Sequence, residues 1–193
     1  MLVSFPPHTE LLLQRRRHFK RSLISDGENV LTDHRDAHLE KIRGIRSQIL
    51  ANLEGMDYCL DWKPDADSWS VREVVYHLVD TPEGGLHTLI SGILSGQTKE
   101  FDLTPDLNNM NPERQTLDLN QVRLDVSQVL DGLEAAVSAA NDEGLATTKV
   151  LAHLKARKID EVRTPQILLE GLFARHWQGH ADQLRELRET LGI

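Results

Sequence analysis

The stretch Asp67–Asp80, DSWSVREVVYHLVD, decides how the rest of the chain is read. Ser70 is followed three residues later by Glu73, the spacing of a capping box, in which each side chain accepts the other residue's backbone amide. Val71, Val74, Val75 and Leu78 then recur at three and four residues, which lays them along one side of a helix. A helix starting near Trp69 is therefore predicted. Pro82 interrupts the stripe, with Gly84 and Gly85 just beyond it. Proline lacks an amide donor and clashes with the preceding turn, so a kink or break is expected here. The apolar pattern resumes at Leu86, Leu89, Ile90 and Ile93 and ends near Gly96.

Outward from this point the chain keeps a helical rhythm. A first helix is predicted from about Thr32 to Leu53, with Asp33 as N-cap and Leu39, Ile42, Ile45, Ile49 and Leu53 as its buried side. Residues 97–116 hold Pro105, Pro112, Asn108, Asn109 and Asn111 and read as a long loop, a feature that in a folded domain is commonly functional. A further helix covers Leu119 to Asn141, with Val122, Val126, Val129, Leu133, Val137 and Ala140 as its seam. LATTKVLAHLKAR, residues 145–157, reads as a short helix. Thr164 and Pro165 then open the last helix as N-cap and first helical residue, and it runs to about Leu191. Neither an internal repeat nor a strand-rich region stands out. The expected architecture is all-α, a four-helix bundle over residues 34–193, preceded by an N-terminal extension over residues 1–33.

Composition narrows the function classes. A chain of 193 residues can bury a real core within one domain. Its formal net charge of −8 disfavours sequence-independent nucleic-acid binding and docking on anionic membranes, both of which need a positive surface. One cysteine, Cys59, excludes an intrachain disulfide, suits a reducing cytoplasm and reads as a buried structural thiol. No apolar run approaches the roughly 20 residues that span a bilayer.

The chemistry-bearing residues are histidines. In LFARHWQGHADQL, residues 172–184, His176 and His180 lie one helical turn apart beside the stripe Leu169, Leu172, Phe173, Gln183 and Leu187. Two imidazoles at this spacing can reach one cation, as in many zinc and nickel sites. The chain has nine histidines, so such a pair also arises by chance, and spacing alone leaves both readings open. His34 and His38 share the spacing at what reads as a solvated helix start. His87 and His153 fit surface or structural roles. The third donor is best sought at His77, in the middle of the second helix. One imidazole from one helix and a pair from another leave a position open, as catalytic sites require. An ion held by three neutral imidazoles keeps its full charge and acidifies water or a thiol beside it. Asp80, one turn on, can orient an imidazole or lie on the helix surface. Trp69 and Trp177 can wall a pocket or fill the core, and Glu170 and Arg175 can meet substrate or pair at the surface.

The two motifs together, WSVREVVYHLVD and the late LFARHWQGHADQL, with the Lys-Pro turn of DWKPDADSWSVREV, resemble the DinB-like superfamily over about residues 35–193. The resemblance implies an up-down-down-up four-helix bundle of the DinB/YfiT kind, and a divalent metal ion, zinc or nickel, on His77, His176 and His180. Relatives include bacillithiol S-transferases and mycothiol-dependent maleylpyruvate isomerases. The implied activity is thus a metal-dependent thiol S-transfer, with a low-molecular-weight thiol as cofactor, or a hydrolysis, on a small electrophilic molecule. A non-catalytic metal-binding, stress-associated binding or assembly module is the alternative, and a homodimer is compatible with either. Pro82, Gly84 and Gly85 depart from the regular helix of relatives and bear on the pocket wall beyond His77.

Overall fold

A computed structural model describes residues 34–193; the expected extension over residues 1–33, with Asp33 as N-cap, lies outside them. Seven α-helical segments and three short strands follow one another. They are α1 (His34–Asn52), α2 (Val71–Val79), α3 (Leu86–Leu94), β1 (Glu100–Leu103), α4 (Leu119–Ala139), α5 (Asp142–Thr147), β2 (Val150–Leu154), β3 (Ile159–Arg163), α6 (Pro165–Leu168) and α7 (Gln178–Leu191). A π-helical stretch, Leu169–Trp177, joins α6 to α7, so the last helix is continuous from Pro165 to Leu191. Among the described residues, no helix is long and apolar enough to cross a membrane.

The helical seams pack where their spacing puts them. Ile42, Ile45 and Ile49 of α1 are fully buried, as are Val122, Val126, Leu133 and Val137 of α4. Removing such apolar surface from water is the main favourable contribution to the fold. α2 differs in being buried almost all round, polar residues included. Arg72, Tyr76 and His77 are as inaccessible as Val74 and Leu78. A helix of this kind lies inside the molecule, and its polar groups must find partners there. The expected break at Pro82 separates α2 from α3. Gly85 has φ +82, and an added Cβ would stand 2.7 Å from the Val79 carbonyl, so glycine is required where the chain turns.

Two expectations are corrected. The chain is mostly helical rather than all-α, because a three-stranded sheet in the order β1-β2-β3 is present. β1, inside the expected long loop, pairs in parallel with β2, Glu100 opposite Leu151 and Leu103 opposite Leu154. β2 pairs antiparallel with β3, Val150 opposite Arg163 and Leu154 opposite Ile159. The expected helix over residues 145–157 is therefore half helix, α5, and half strand, β2. Leu151 and Leu154 stand three apart, as on a helix face, but ladder hydrogen bonds to both neighbours hold residues 150–154 extended. The β2–β3 turn contains none of the glycine, proline or asparagine that usually mark one, and Lys158 takes its left-handed conformation at φ 54.

Candidate metal centre

The site begins with the start of α2. Ser70 accepts the Glu73 amide at 3.3 Å and the Glu73 carboxylate accepts the Ser70 amide at 2.8 Å, completing the capping box. Fixed there, α2 carries His77 inward at its last turn, 3% exposed. On the last helix, the Thr164 hydroxyl accepts the Ile167 amide, Pro165 occupies the first turn, and the π-helical stretch ends at Trp177, just past His176. Wide turns of this kind recur at functional sites, because hydrogen bonding from i to i+5 re-aims the side chains that follow. Gly192, at φ 76, then ends α7 with its amide on the Glu189 carbonyl and the Ile193 amide on that of Arg188, a Schellman arrangement.

The structure brings His77, His176 and His180 together. Nε2 of His77 lies 2.9 Å from Nε2 of His176, and Nε2 of His180 lies 3.1 Å from the same atom. Among the described residues this is the one group of three His, Cys, Asp or Glu side chains whose ligand atoms fall within 4.8 Å of one another. His77 is buried, while His176 and His180 are half-buried. Trp69 closes one side, with its ring 4.9 Å from that of His77 and stacked at 6.0 Å on that of His180.

Two of the rings are held from behind. Nδ1–H of His77 donates to the Leu107 carbonyl at 2.5 Å, and Nδ1–H of His180 donates to Oε1 of Gln183 at 2.8 Å. A neutral imidazole has a single N–H. With those two spent on acceptors outside the cluster, His77 and His180 both turn Nε2 lone pairs toward Nε2 of His176. Lone pairs at such separations repel one another, and a cation between them turns that repulsion into attraction. The donor set therefore fits a divalent metal ion that accepts nitrogen.

The electrostatics agree. Burial lowers the pKa of His77, against a smaller opposing effect of the Leu107 carbonyl and Asp106. Burial and the charges that His180 and His77 would carry hold His176 down at about 4. His180 is lowered by burial first, with Gln183 opposing. At neutral pH all three are uncharged, the state in which imidazole binds metal.

The carbonyl behind His77 comes from the asparagine-rich loop, which is latched to α2. Nδ2 of Asn109 donates to Oγ1 of Thr81 at 2.9 Å, Nδ2 of Asn108 to Glu73 at 3.3 Å, and Arg114 to the Asn109 carbonyl at 2.5 Å. Asp106 and Asn109 take left-handed conformations, at φ 57 and 54, which their side chains tolerate better than most. Buried Arg72 grips Asp61 at 2.6 and 3.0 Å and the carbonyls of Arg114 and Leu117 at 3.0 and 2.5 Å, anchoring the far end of the loop.

Other candidates fall elsewhere. Asp80 orients no imidazole; it accepts the Gly84 amide at 2.8 Å and pairs with Arg114 at 3.1 Å. Trp177 packs in the core against Phe173, and only Trp69 walls the site. Glu170 and Arg175 are exposed and bond within their own helix. His34 and His38 lie outside the cluster, His87 packs against Gly132, and His153 pairs with Asp160. The Cys59 thiol is buried, and its pKa is raised.

Fold and site together define a mostly helical protein with a tri-imidazole cluster between its second and last helices. The DinB superfamily matches residues 38–162, and the chain belongs to it. That match contains His77 and stops short of His176 and His180. Two solved structures share the fold. YfiT from Bacillus subtilis, described as a probable metal-dependent hydrolase with an unusual four-helix bundle topology, has 19% identity and a TM-score of 0.65 over 88% of this chain and 94% of that one. A protein from Streptococcus pneumoniae has 11% identity and a TM-score of 0.56 over 80% of this chain and 90% of that one. No curated protein matches the chain in sequence.

Proposed function

We propose that the chain is a metal-dependent enzyme that activates a small nucleophile, water or a low-molecular-weight thiol, against a small electrophilic molecule. It is thus a hydrolase or a thiol S-transferase with His77, His176 and His180 as its metal ligands. The observation that carries this reading is the convergence of three Nε2 atoms, with Nδ1 of His77 committed to the Leu107 carbonyl and Nδ1 of His180 to Gln183. The description of YfiT as a probable metal-dependent hydrolase supports it, as does the half exposure of His176 and His180, which suits an open coordination position better than a sealed structural one. We extend the proposal to an up-down-down-up order of the long helices.

A zinc or nickel ion held there supplies a Lewis acid beside which water or a thiol loses its proton near neutral pH. The chain's own residues do the rest. Leu107 and Gln183 fix the tautomers of His77 and His180 so that their Nε2 atoms offer lone pairs. Trp69 shields one side from water and directs approach to the half-buried His176–His180 edge. The test is metal analysis of tag-free protein together with turnover of activated esters and of cysteinyl thiols with model electrophiles. Stoichiometric metal, and activity lost in His77→Ala with the circular dichroism unchanged, is the expected result. Ester cleavage without thiol selects the hydrolase, and thiol-dependent turnover selects the transferase. A metal-free protein that takes up no zinc or nickel overturns both.

A further inference from the structure

Two cavities lie on either side of Phe101, and their charges are opposite. The larger, about 790 Å³, is lined by Asp80, Glu83, Glu100 and Asp102. The smaller, about 210 Å³, lies between the sheet and the last helix. Its walls include Leu103, Ala152 and Leu154 from the sheet and Leu168, Gly171 and Leu172 from the last helix, and Arg157 and Arg163 are its only charged residues. Arg163 is engaged by Glu161. Arg157 sits exposed on the β2–β3 turn and forms no ion pair among the described residues. In a chain of net charge −8, an apolar recess whose one unneutralised charge is a guanidinium is built against the prevailing field.

We propose that this recess binds a small organic acid, its apolar body between sheet and helix and its carboxylate on Arg157. The volume is below the roughly 300 Å³ at which drug-sized ligands begin, so the ligand is short. A guanidinium suits a carboxylate because its planar fork offers paired donors. Leu103 and Pro105, which wall the recess, lead into the segment whose Leu107 carbonyl holds His77. None of the three histidines lines the recess. Acid binding there is independent of the metal reading.

The test is calorimetric titration of the full chain with phenylpropionate and with phenylpropanol, its uncharged counterpart. The acid is expected to bind one to one and more tightly than the alcohol. Arg157→Gln weakens the acid about tenfold and leaves the alcohol unchanged. Gly171→Leu, which fills the recess, abolishes both; should that variant fail to fold, Ala156→Trp blocks it from the exposed turn. Chelator-treated protein binds the acid as wild type does, so failure of the metal reading is separable from failure of this one. Equal affinity for acid and alcohol, or indifference to Arg157→Gln, overturns the proposal. Binding that survives the filled variant but disappears on chelation places the acid on the imidazoles and overturns it too.

Discussion

At the scale of single residues, the site depends on which nitrogen of each imidazole carries the proton. Gln183 sets that choice for His180 by accepting Nδ1–H at 2.8 Å. In Gln183→Leu the ring is free to flip or to protonate Nε2. Metal affinity in a competitive chelator titration is expected to fall about 10- to 100-fold, as for other groups that orient a ligand from behind. His180→Ala, which deletes a donor, is expected to lose more. Protonation gives a second prediction. The three histidines bind protons less readily in the folded than in the unfolded chain, since burial lowers each from 6.5, His176 to about 4. The unfolded state therefore takes up protons first, and the stability these groups contribute is present above 6.5 and lost as pH falls from there toward 4. The urea midpoint of metal-free protein is expected to drop across that window, and His176→Leu is expected to flatten the drop. A midpoint as steep in the variant as in wild type would show that other groups drive it.

At the scale of elements, what the sequence displayed was what it encodes locally. The Ser70–Glu73 box, the Thr164–Pro165 start, the break at Pro82 and the seams of α1 and α4 are short-range patterns, and each lies where its spacing put it. Gln183, three residues past His180, was within reach of the same reasoning. What escaped was pairing across distance. β1 and β2 form strands because each completes the other across some fifty residues, and the β2–β3 turn has no marker residue. The Leu107 carbonyl joins His77 across 30 positions, and a backbone acceptor leaves no trace in side-chain identity. The loop that delivers it is held by Arg72, which gives a prediction at this scale. Arg72→Met leaves the half-buried carbonyls of Arg114 and Leu117 without their donor, while Asp61 is exposed enough to regain water. A destabilisation of about 2–3 kcal/mol by urea denaturation is expected, with weaker metal binding as the loop loosens behind His77. Unchanged affinity at reduced stability would separate the loop from the site.

For the molecule as a whole, the candidate centre is a cross-link between regions that sequence keeps apart, since His77 and His176 are 99 positions from one another. The three Nε2 atoms converge only when α2 is capped, the asparagine-rich loop is latched and the last helix is docked. The unfolded chain offers no such site, so binding free energy becomes folding free energy. An ion at 100 times its dissociation constant adds about 2.7 kcal/mol. In a chain of this size each kcal/mol shifts the melting temperature by roughly 2–4 °C. Zinc or nickel in modest excess is therefore expected to raise the melting temperature of chelator-treated protein by about 5–11 °C. The variant with alanine at His77, His176 and His180 should show no shift, although the solvent-exposed His34 and the Asp160-paired His153 remain available to it. A shift of equal size in that variant would move the cation to another part of the surface. A shift in wild type alone would show that the contacts closing the fold also assemble the three donors.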